Sequence, residues 1–353
     1  MSIKLTDSDS DGKLENFSYD FCDNSSNDDV KSARGLVYKN NYPFIKAFGY
    51  TPVFTQQSLP PSLIDEINTK FDKLKFYYSL EGTLIRLFYN DVNDKWYMST
   101  HKKLDASNSK WGTNVTFGEI FKSCIPENFY DTLDKDKFYL FILTPNRDNR
   151  IVCNQILSQL FHVGTYDFGF NFSYDYDIGI QKPPEVTANI YNFNEILKIV
   201  NDPSFPYTRY QGIIISNSET QSNIKIYNNL YDNFQKIRGN TASIKFRYLE
   251  VRTQVDVANA LREMFVDYVN DFNDYEEKID KYANILFIEY MKRYISRQYK
   301  TLLPNEHFIL KKAHEWHKQD KENNKISKEK MKEIIDSQSA VFVNSLIKNT
   351  KKN

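Results

Sequence analysis

The chain has 353 residues, with 46 basic and 46 acidic side chains. Zero net charge excludes nucleic-acid binding by bulk electrostatics but leaves room for a local basic groove. Aromatic residues make up 15%, yet Asn, Lys and Ile are frequent too and Gly and Pro few, so aromatic content alone says little about base stacking. Three scattered cysteines, Cys22, Cys124 and Cys153, exclude a zinc ribbon or a disulfide framework and fit a reducing compartment.

The N-terminus, Met1-Ser2-Ile3-Lys4, has no apolar leader core, and Ser2 gives no myristoylation site. No run approaches the roughly 18 apolar residues of a membrane span. The expectation is a protein that touches no membrane and stays in the cytoplasm (the host's, if the chain is viral). Residues 1–32 read as a polar flexible arm, with Asp and Ser alternating from Asp7 to Asp11 before Gly12. Ala33 to Tyr38 reads as a strand, Asn40-Asn41 as a turn, and Tyr42 to Phe48 as its return. Ser62 to Leu74 carries Ile64, Ile67 and Phe71 on one helical face.

Ser79-Leu80-Glu81-Gly82-Thr83 is a tight acidic-Gly turn. It leads into a hairpin of Leu84 to Tyr89 and Trp96 to His101, followed by the basic pair Lys102-Lys103. Thr116 to Ser123 is a short helix. Phe138 to Leu143 is a nearly unbroken apolar strand, followed by Thr144-Pro145-Asn146-Arg147-Asp148-Asn149-Arg150-Ile151-Val152, and Gln155 to Val163 reads as a further strand. From Tyr166 to Tyr176 aromatics recur at nearly every second position, a period that suits a strand with one aromatic face. Such a face serves core packing or stacks bases, at about 1–3 kcal/mol each. Phe193 to Val200 is a helix. Tyr210-Gln211-Gly212-Ile213-Ile214-Ile215-Ser216 and Ile224-Lys225-Ile226-Tyr227 are two more strands.

After Arg252, Val257, Leu261, Phe265, Tyr268, Phe272, Tyr275, Ile279, Tyr282 and Leu286 follow at helical spacing. Pro304-Asn305 ends that pattern, Glu306 to Lys318 is another helix, and Ser327 caps a last one carrying Met331, Ile334, Ile335 and Phe342. The tail is basic at Lys348, Lys351 and Lys352. His307, His314 and His317 can share a helix face, but no cysteine or further ligand completes a metal set, and none is expected. The reading is therefore three regions: an arm 1–32, a mixed domain 33–252 and an all-helical domain 253–353.

In their order and spacing, five blocks between Arg34 and Tyr231 resemble the phage-type RNA ligases, a family of covalent nucleotidyltransferases with forms in large DNA viruses. The blocks are Arg34-Gly35, Ser79 to Thr83, Phe138 to Val152, Gln211-Gly212 and Lys225 to Tyr227. The resemblance implies an α+β fold, a nucleotidyltransferase domain of ATP-grasp-like antiparallel sheets followed by an all-helical C-terminal domain. It also implies a nucleotide pocket near Arg34, Ser79, Glu81, Gly82, Lys102, Phe141, Gln211, Lys225 and Tyr227. The family's nucleophilic lysine is Ser79 here, one acid is Ile142, another is Gln211, and a phosphate-binding lysine is Tyr227. A serine without a base cannot replace a lysine amine, and Lys75 lies about 13 Å along the strand.

These departures lead to a catalytically degenerate protein with no cofactor, one that binds RNA at its 5′ end, cap included, with a protein partner on the helical domain. Two alternatives stand beside it: an active ATP- and Mg²⁺-dependent RNA ligase with a displaced nucleophile, and a scaffold without a ligand.

Overall fold

Leu14, Asn16 and Ser18 are buried while Glu15, Phe17 and Tyr19 are half-buried, an alternation that makes residues 14–19 a strand. The N-terminal arm is thus structured. In the computed structural model, which describes residues 2–10, 13–188 and 190–348, β1 (Ile3–Ser8), β2 (Leu14–Tyr19), β3 (Leu36–Lys39) and β4 (Tyr42–Ile45) form one antiparallel sheet in sequence order. The short helix α1 (Asp28–Ser32) is capped by Asn27. Two of the three core-facing residues of β2 are polar, so hydrophobic alternation could not announce the strand; the Asn16 amide instead bonds Thr6 and the His101 carbonyl. Asp11 and Gly12 of the expected arm, and Lys351 and Lys352 of the basic tail, lie outside the described residues.

The chain forms two units, Met1–Lys236 and Ile237–Asn353. In the first, two further sheets follow. One has the order β5-β13-β12-β6, from β5 (Val53–Phe54), β6 (Leu74–Ser79), β12 (Gly212–Asn217) and β13 (Asn223–Tyr227), antiparallel except for β5 against β13. The other is antiparallel with the order β11-β10-β9-β7-β8, from β7 (Thr83–Asn90), β8 (Lys95–Ser99), β9 (Lys137–Leu143), β10 (Leu160–Asp167) and β11 (Phe172–Ser173). Helices α2 (Pro61–Thr69), α3 (Phe117–Ser123), α4 (Phe193–Val200) and α5 (Asn229–Arg238) complete the element order to this point. The expected hairpin is β7–β8, in register from Arg86↔Ser99 to Asn90↔Lys95. The acidic-Gly turn itself is the crossover from one sheet to the other. Gly82 is needed there because a Cβ would stand 2.5 Å from the Leu143 carbonyl oxygen.

Two sequence expectations shift. Gln155 to Gln159 is irregular, and the next strand begins at Leu160. The aromatic run is a β-hairpin rather than one strand: Tyr166 pairs Phe172 across a turn that carries Phe168 and Phe170.

The second unit is helical: α6 (Ile244–Val251), α7 (Val255–Met264), α8 (Val269–Tyr290), α9 (Pro304–Gln319), α10 (Lys328–Asp336) and α11 (Ala340–Lys348). It begins after Lys236 rather than after Arg252, because Ile237, Ile244, Tyr248 and Val251 feed its core from elements too short to show a long apolar stripe. Ser327 caps α10 by accepting from the Lys330 N–H, as expected. Arg252 joins α8 and α10 through Glu276 and Asp336. Of the three histidines, His314 stacks on Tyr294 at 3.9 Å and His317 bonds the Asn324 carbonyl. Among the described residues no group of three His, Cys, Asp or Glu could hold a metal ion, and no helix is long and apolar enough to cross a membrane. The architecture is α+β, antiparallel sheets followed by helices.

Candidate functional site

Between the faces of the β5-β13-β12-β6 and β11-β10-β9-β7-β8 sheets lies a cavity of about 890 Å³. Its floor follows from register: Lys225 on β13, Ile214 on β12 and Tyr77 on β6 stand side by side in one row. Its opposite wall is apolar, from Leu84, Leu140 and Ile142. Strand alternation explains which residues of β9 reach it. Leu140 and Ile142 face the cavity, while Phe141 points the other way, fully buried against Phe121 and Phe129. Phe141 is therefore core and not a site residue. The position where the resemblance places an acid is a hydrophobe on the cavity wall, Ile142.

Beneath the floor runs a buried polar chain. The Gln211 Oε1 accepts from the Ser79 hydroxyl at 2.9 Å and from the Lys225 ammonium at 2.8 Å. The Gln211 amide donates to the Tyr231 hydroxyl at 2.7 Å, which donates to Glu81 at 3.1 Å. Glu81 in turn accepts the backbone N–H groups of Ile151, Val152 and Cys153 at 2.6, 2.8 and 3.0 Å. Every donor in this chain meets an acceptor, which a buried network requires. The assignment of Glu81 to the ligand is corrected accordingly. Its carboxylate is buried and occupied, and it ties the crossover turn to the Arg150-Ile151-Val152 loop. Ser79 is fully buried and committed to Gln211, so position 79 presents no reactive group to the cavity.

Lys225 is the ionisable group at the centre. It has no carboxylate in ion-pair range among the described residues. Burial first, then the nearby charge of Arg34, push its ammonium down to about 8. Tyr227 stands beside it, with the Lys225 Nζ 5.5 Å from its ring centroid, and packs at a tilt of 52° against Tyr231 rather than lining the cavity. Arg34 does line it. It precedes β3 instead of lying within a strand, in a turn that Gly35 closes with φ +72°, and a side chain there would clash with His101 and Phe48. Arg34 also has no acidic partner among the described residues, so the alternative of a structural ion pair does not hold for it.

Lys102 does not reach the cavity. It is exposed beyond the end of β8, and its charge helps, after burial and Arg34, to push His101 down to about 4. Of the nine residues expected, Arg34, Gly82, Gln211 and Lys225 line the cavity, Ser79 and Glu81 support it from below, Tyr227 flanks it, and Lys102 and Phe141 stand apart.

Sequence reasoning passed over several residues that matter. Arg86 is fully buried on β7, donates to the Ser99 hydroxyl and to the Gly35 and Lys46 carbonyls, and packs 4.7 Å over Phe48. It holds the Arg34-Gly35 turn in place, and the signal was a lone charge in an apolar strand. Tyr77, Tyr174 and Lys182 also line the cavity. Lys182 bonds His162, which burial holds near 4 and hence neutral.

The residues present do not suit a protein-bound divalent cation. The two acids that the resemblance would supply are Ile142 and Gln211, and Glu81 already receives four donors. Asp175, Asp177 and Glu185 also line the cavity, but among the described residues no group of three possible ligands comes together.

No family model matches the chain. It is similar to the immediate-early protein ICP-46 homolog of Invertebrate iridescent virus 3, at 30% identity over 296 residues, 80% of this chain and 63% of that protein. It is also similar to the protein of the same description from Invertebrate iridescent virus 6, at 26% identity over 318 residues, 82% of this chain and 68% of that one. The chain thus spans less than two thirds of the first relative's length. Among solved structures, an archaeal ATP-dependent RNA ligase aligns with a TM-score of 0.44 at 11% identity, over 75% of this chain and 70% of that one.

Proposed function

We propose that the N-terminal unit is a nucleotidyltransferase-like module that has lost covalent chemistry and binds the phosphorylated 5′ end of an RNA, a capped end included. The observation that carries this reading is a pair of cations, Arg34 and Lys225, with no carboxylate in ion-pair range among the described residues, facing one cavity that Tyr77 and Tyr174 also line. A cation left unpaired in a half-buried site is costly unless an anion comes to it. Two phosphate-facing cations over a single cavity suit the end of a chain better than a long backbone groove, and zero net charge agrees with that. The loss of chemistry rests on Ser79, sealed beneath Gln211, and on the missing acids. Relatives described as immediate-early proteins of iridescent viruses favour a role in viral mRNA processing or translation, with the helical unit as the surface for a protein partner.

A second reading, an active ATP-dependent RNA ligase, is favoured by one feature. Lys225 has an amine at about 8, low enough to be partly neutral and nucleophilic near physiological pH. Mg²⁺ would then have to arrive on the triphosphate itself.

One experiment separates the two. The protein is incubated with labelled ATP or GTP and Mg²⁺ and inspected for a covalent adduct, then titrated with 5′-triphosphorylated, capped and 5′-hydroxyl RNA. The expected result is no adduct, with binding to the phosphorylated ends that Arg34→Ala abolishes. An adduct that disappears in Lys225→Ala would replace the binding reading with the ligase. Absence of both signals would leave a scaffold.

A further inference from the structure

The aromatic mouth of the cavity has a chemistry that phosphate binding does not use. Tyr77 and Tyr174 both line it, with ring centroids 6.4 Å apart and planes within 16° of parallel. A planar ring held between two faces needs about 7 Å, two contacts of roughly 3.5 Å, so a slight opening of this pair admits a base. Tyr174 is fixed by its hydroxyl, 2.5 Å from the Oγ of Ser216, which also lines the cavity. Its ring already takes a cation, with the Lys75 Nζ 5.7 Å from the centroid.

Around the same mouth stand Asp175 and Glu185, exposed and lining the cavity. Glu185 bridges Tyr77 through the backbone. Both carboxylates lie near the Tyr77 phenol, and after burial their charges help to keep its proton on. The cavity is therefore polarised. Arg34 and Lys225 make one end cationic, and at the other the two tyrosine faces stand with Asp175, Asp177 and Glu185, three carboxylates against the one cation, Lys182, that lines the cavity beside them, which leaves that end attractive to a cation. The row Lys225–Ile214–Tyr77 sets the ends two strand spacings apart, roughly 10 Å. A nucleotide spans that distance from its base to its phosphate chain.

We infer that the cleft is selective for a purine nucleotide whose base is itself positively charged by alkylation at N7, stacked between Tyr77 and Tyr174 with Asp175 and Glu185 on its polar edge and its phosphates on Arg34 and Lys225. A neutral guanine offers the same ring area but no net charge to the tyrosine faces and the carboxylates. This selectivity rests on the phosphate-binding reading above and adds the identity of the base to it.

The test is calorimetric titration of the full chain with 7-methylguanosine 5′-triphosphate, GTP and inorganic triphosphate. The expected order places the methylated nucleotide about tenfold or more ahead of GTP, with triphosphate weaker than both. Tyr174→Ala should remove most of the methyl preference, so that the methylated nucleotide and GTP then bind within about twofold of each other. Should that variant fail to fold, the surface pair Asp175→Asn with Glu185→Gln keeps the packing and should cut the preference severalfold. Equal affinity for methylated and unmethylated nucleotide would overturn the base selectivity while leaving phosphate binding intact. Failure of all three ligands to bind would overturn the phosphate reading and the selectivity with it.

Discussion

The two units bury different things. Among the described residues, the helical unit buries the charged side chains of Arg238 and of the ion-paired Arg252, whereas the N-terminal unit buries Asn16, Ser79, Glu81, Arg86, His162 and Gln211 among others. The helical core is made of Ile279, Leu286, Ile309, Leu310, Ile335 and Leu346 with their neighbours, a set whose energy comes from apolar area alone. The sheet unit accepts the desolvation of polar groups and recovers it through geometry, since each donor in the Ser79–Gln211–Tyr231–Glu81 chain has an acceptor. Stability in one unit is spread over many interchangeable contacts. In the other it is concentrated in a few that cannot be exchanged, and these lie directly below the cavity.

The sharpest way to break this contrast is to remove the acceptor that most donors share. Glu81→Ala leaves three backbone N–H groups and the Tyr231 hydroxyl unsatisfied. On the order of 4 kcal/mol of stability should be lost, read by denaturant unfolding, together with triphosphate binding. A loss below about 1 kcal/mol would mean that the Arg150-Ile151-Val152 loop is held by other contacts. On the other side of the contrast, Leu286→Ala in α8 should cost about 3 kcal/mol as a core cavity. It should leave triphosphate affinity in the remaining folded protein unchanged.

What the sequence made legible follows the same division. Helical spacing from Val257 to Leu286 and the Ser327 cap were readable, because an apolar stripe reports directly on a helical core, whereas Pro304 is not the break expected of it: α8 ends at Tyr290 and Pro304 opens α9. The register Lys225–Ile214–Tyr77 was not, because pairing between strands far apart in sequence leaves no local mark. The motifs named Arg34, Gln211 and Lys225, each a polar residue at a strand end or in an apolar run, and all three line the cavity. They misplaced Phe141 by one residue, which in a strand is the other face of the sheet. They also assigned Glu81 to a ligand because a motif names a residue without saying which way it points. The arm of residues 1–32 was misread for a related reason: with Asn16 and Ser18 facing inward, β2 lacks the apolar alternation of a strand.

A smaller and more specific effect comes from pH. With Lys225 pushed down to about 8, the free protein loses a phosphate-facing charge as pH rises through that value. Affinity for inorganic triphosphate should therefore fall about tenfold between roughly pH 7.5 and 9, and Lys225→Met should flatten the profile. The linkage to stability has the opposite sign. Between about 8 and the ordinary lysine range the unfolded chain holds a proton that the native amine has released. The penalty for burying Lys225 is thus complete below about pH 8 and is relieved as pH rises toward 10.5, the ordinary lysine value. A flat binding profile in the unmodified protein would show that Arg34 carries the anion alone.

The smallest expected effect is at Lys102. It is the kind of residue that a motif reading favours, a lysine directly after a strand with a second lysine beside it. Yet its side chain is exposed and absent from the cavity lining, and salt screens an exposed charge over about 8–10 Å. Lys102→Ala should change triphosphate affinity by less than about twofold at physiological ionic strength, and somewhat more at low salt. Its charge acts on Asp20, whose carboxyl it helps to hold low, and on His101, which it helps to keep neutral. The variant should therefore let His101 titrate at a higher pH, an effect visible in the imidazole proton resonances. A large loss of binding at physiological salt would instead mean that the ligand extends past the mouth of the cavity and along the edge of β8.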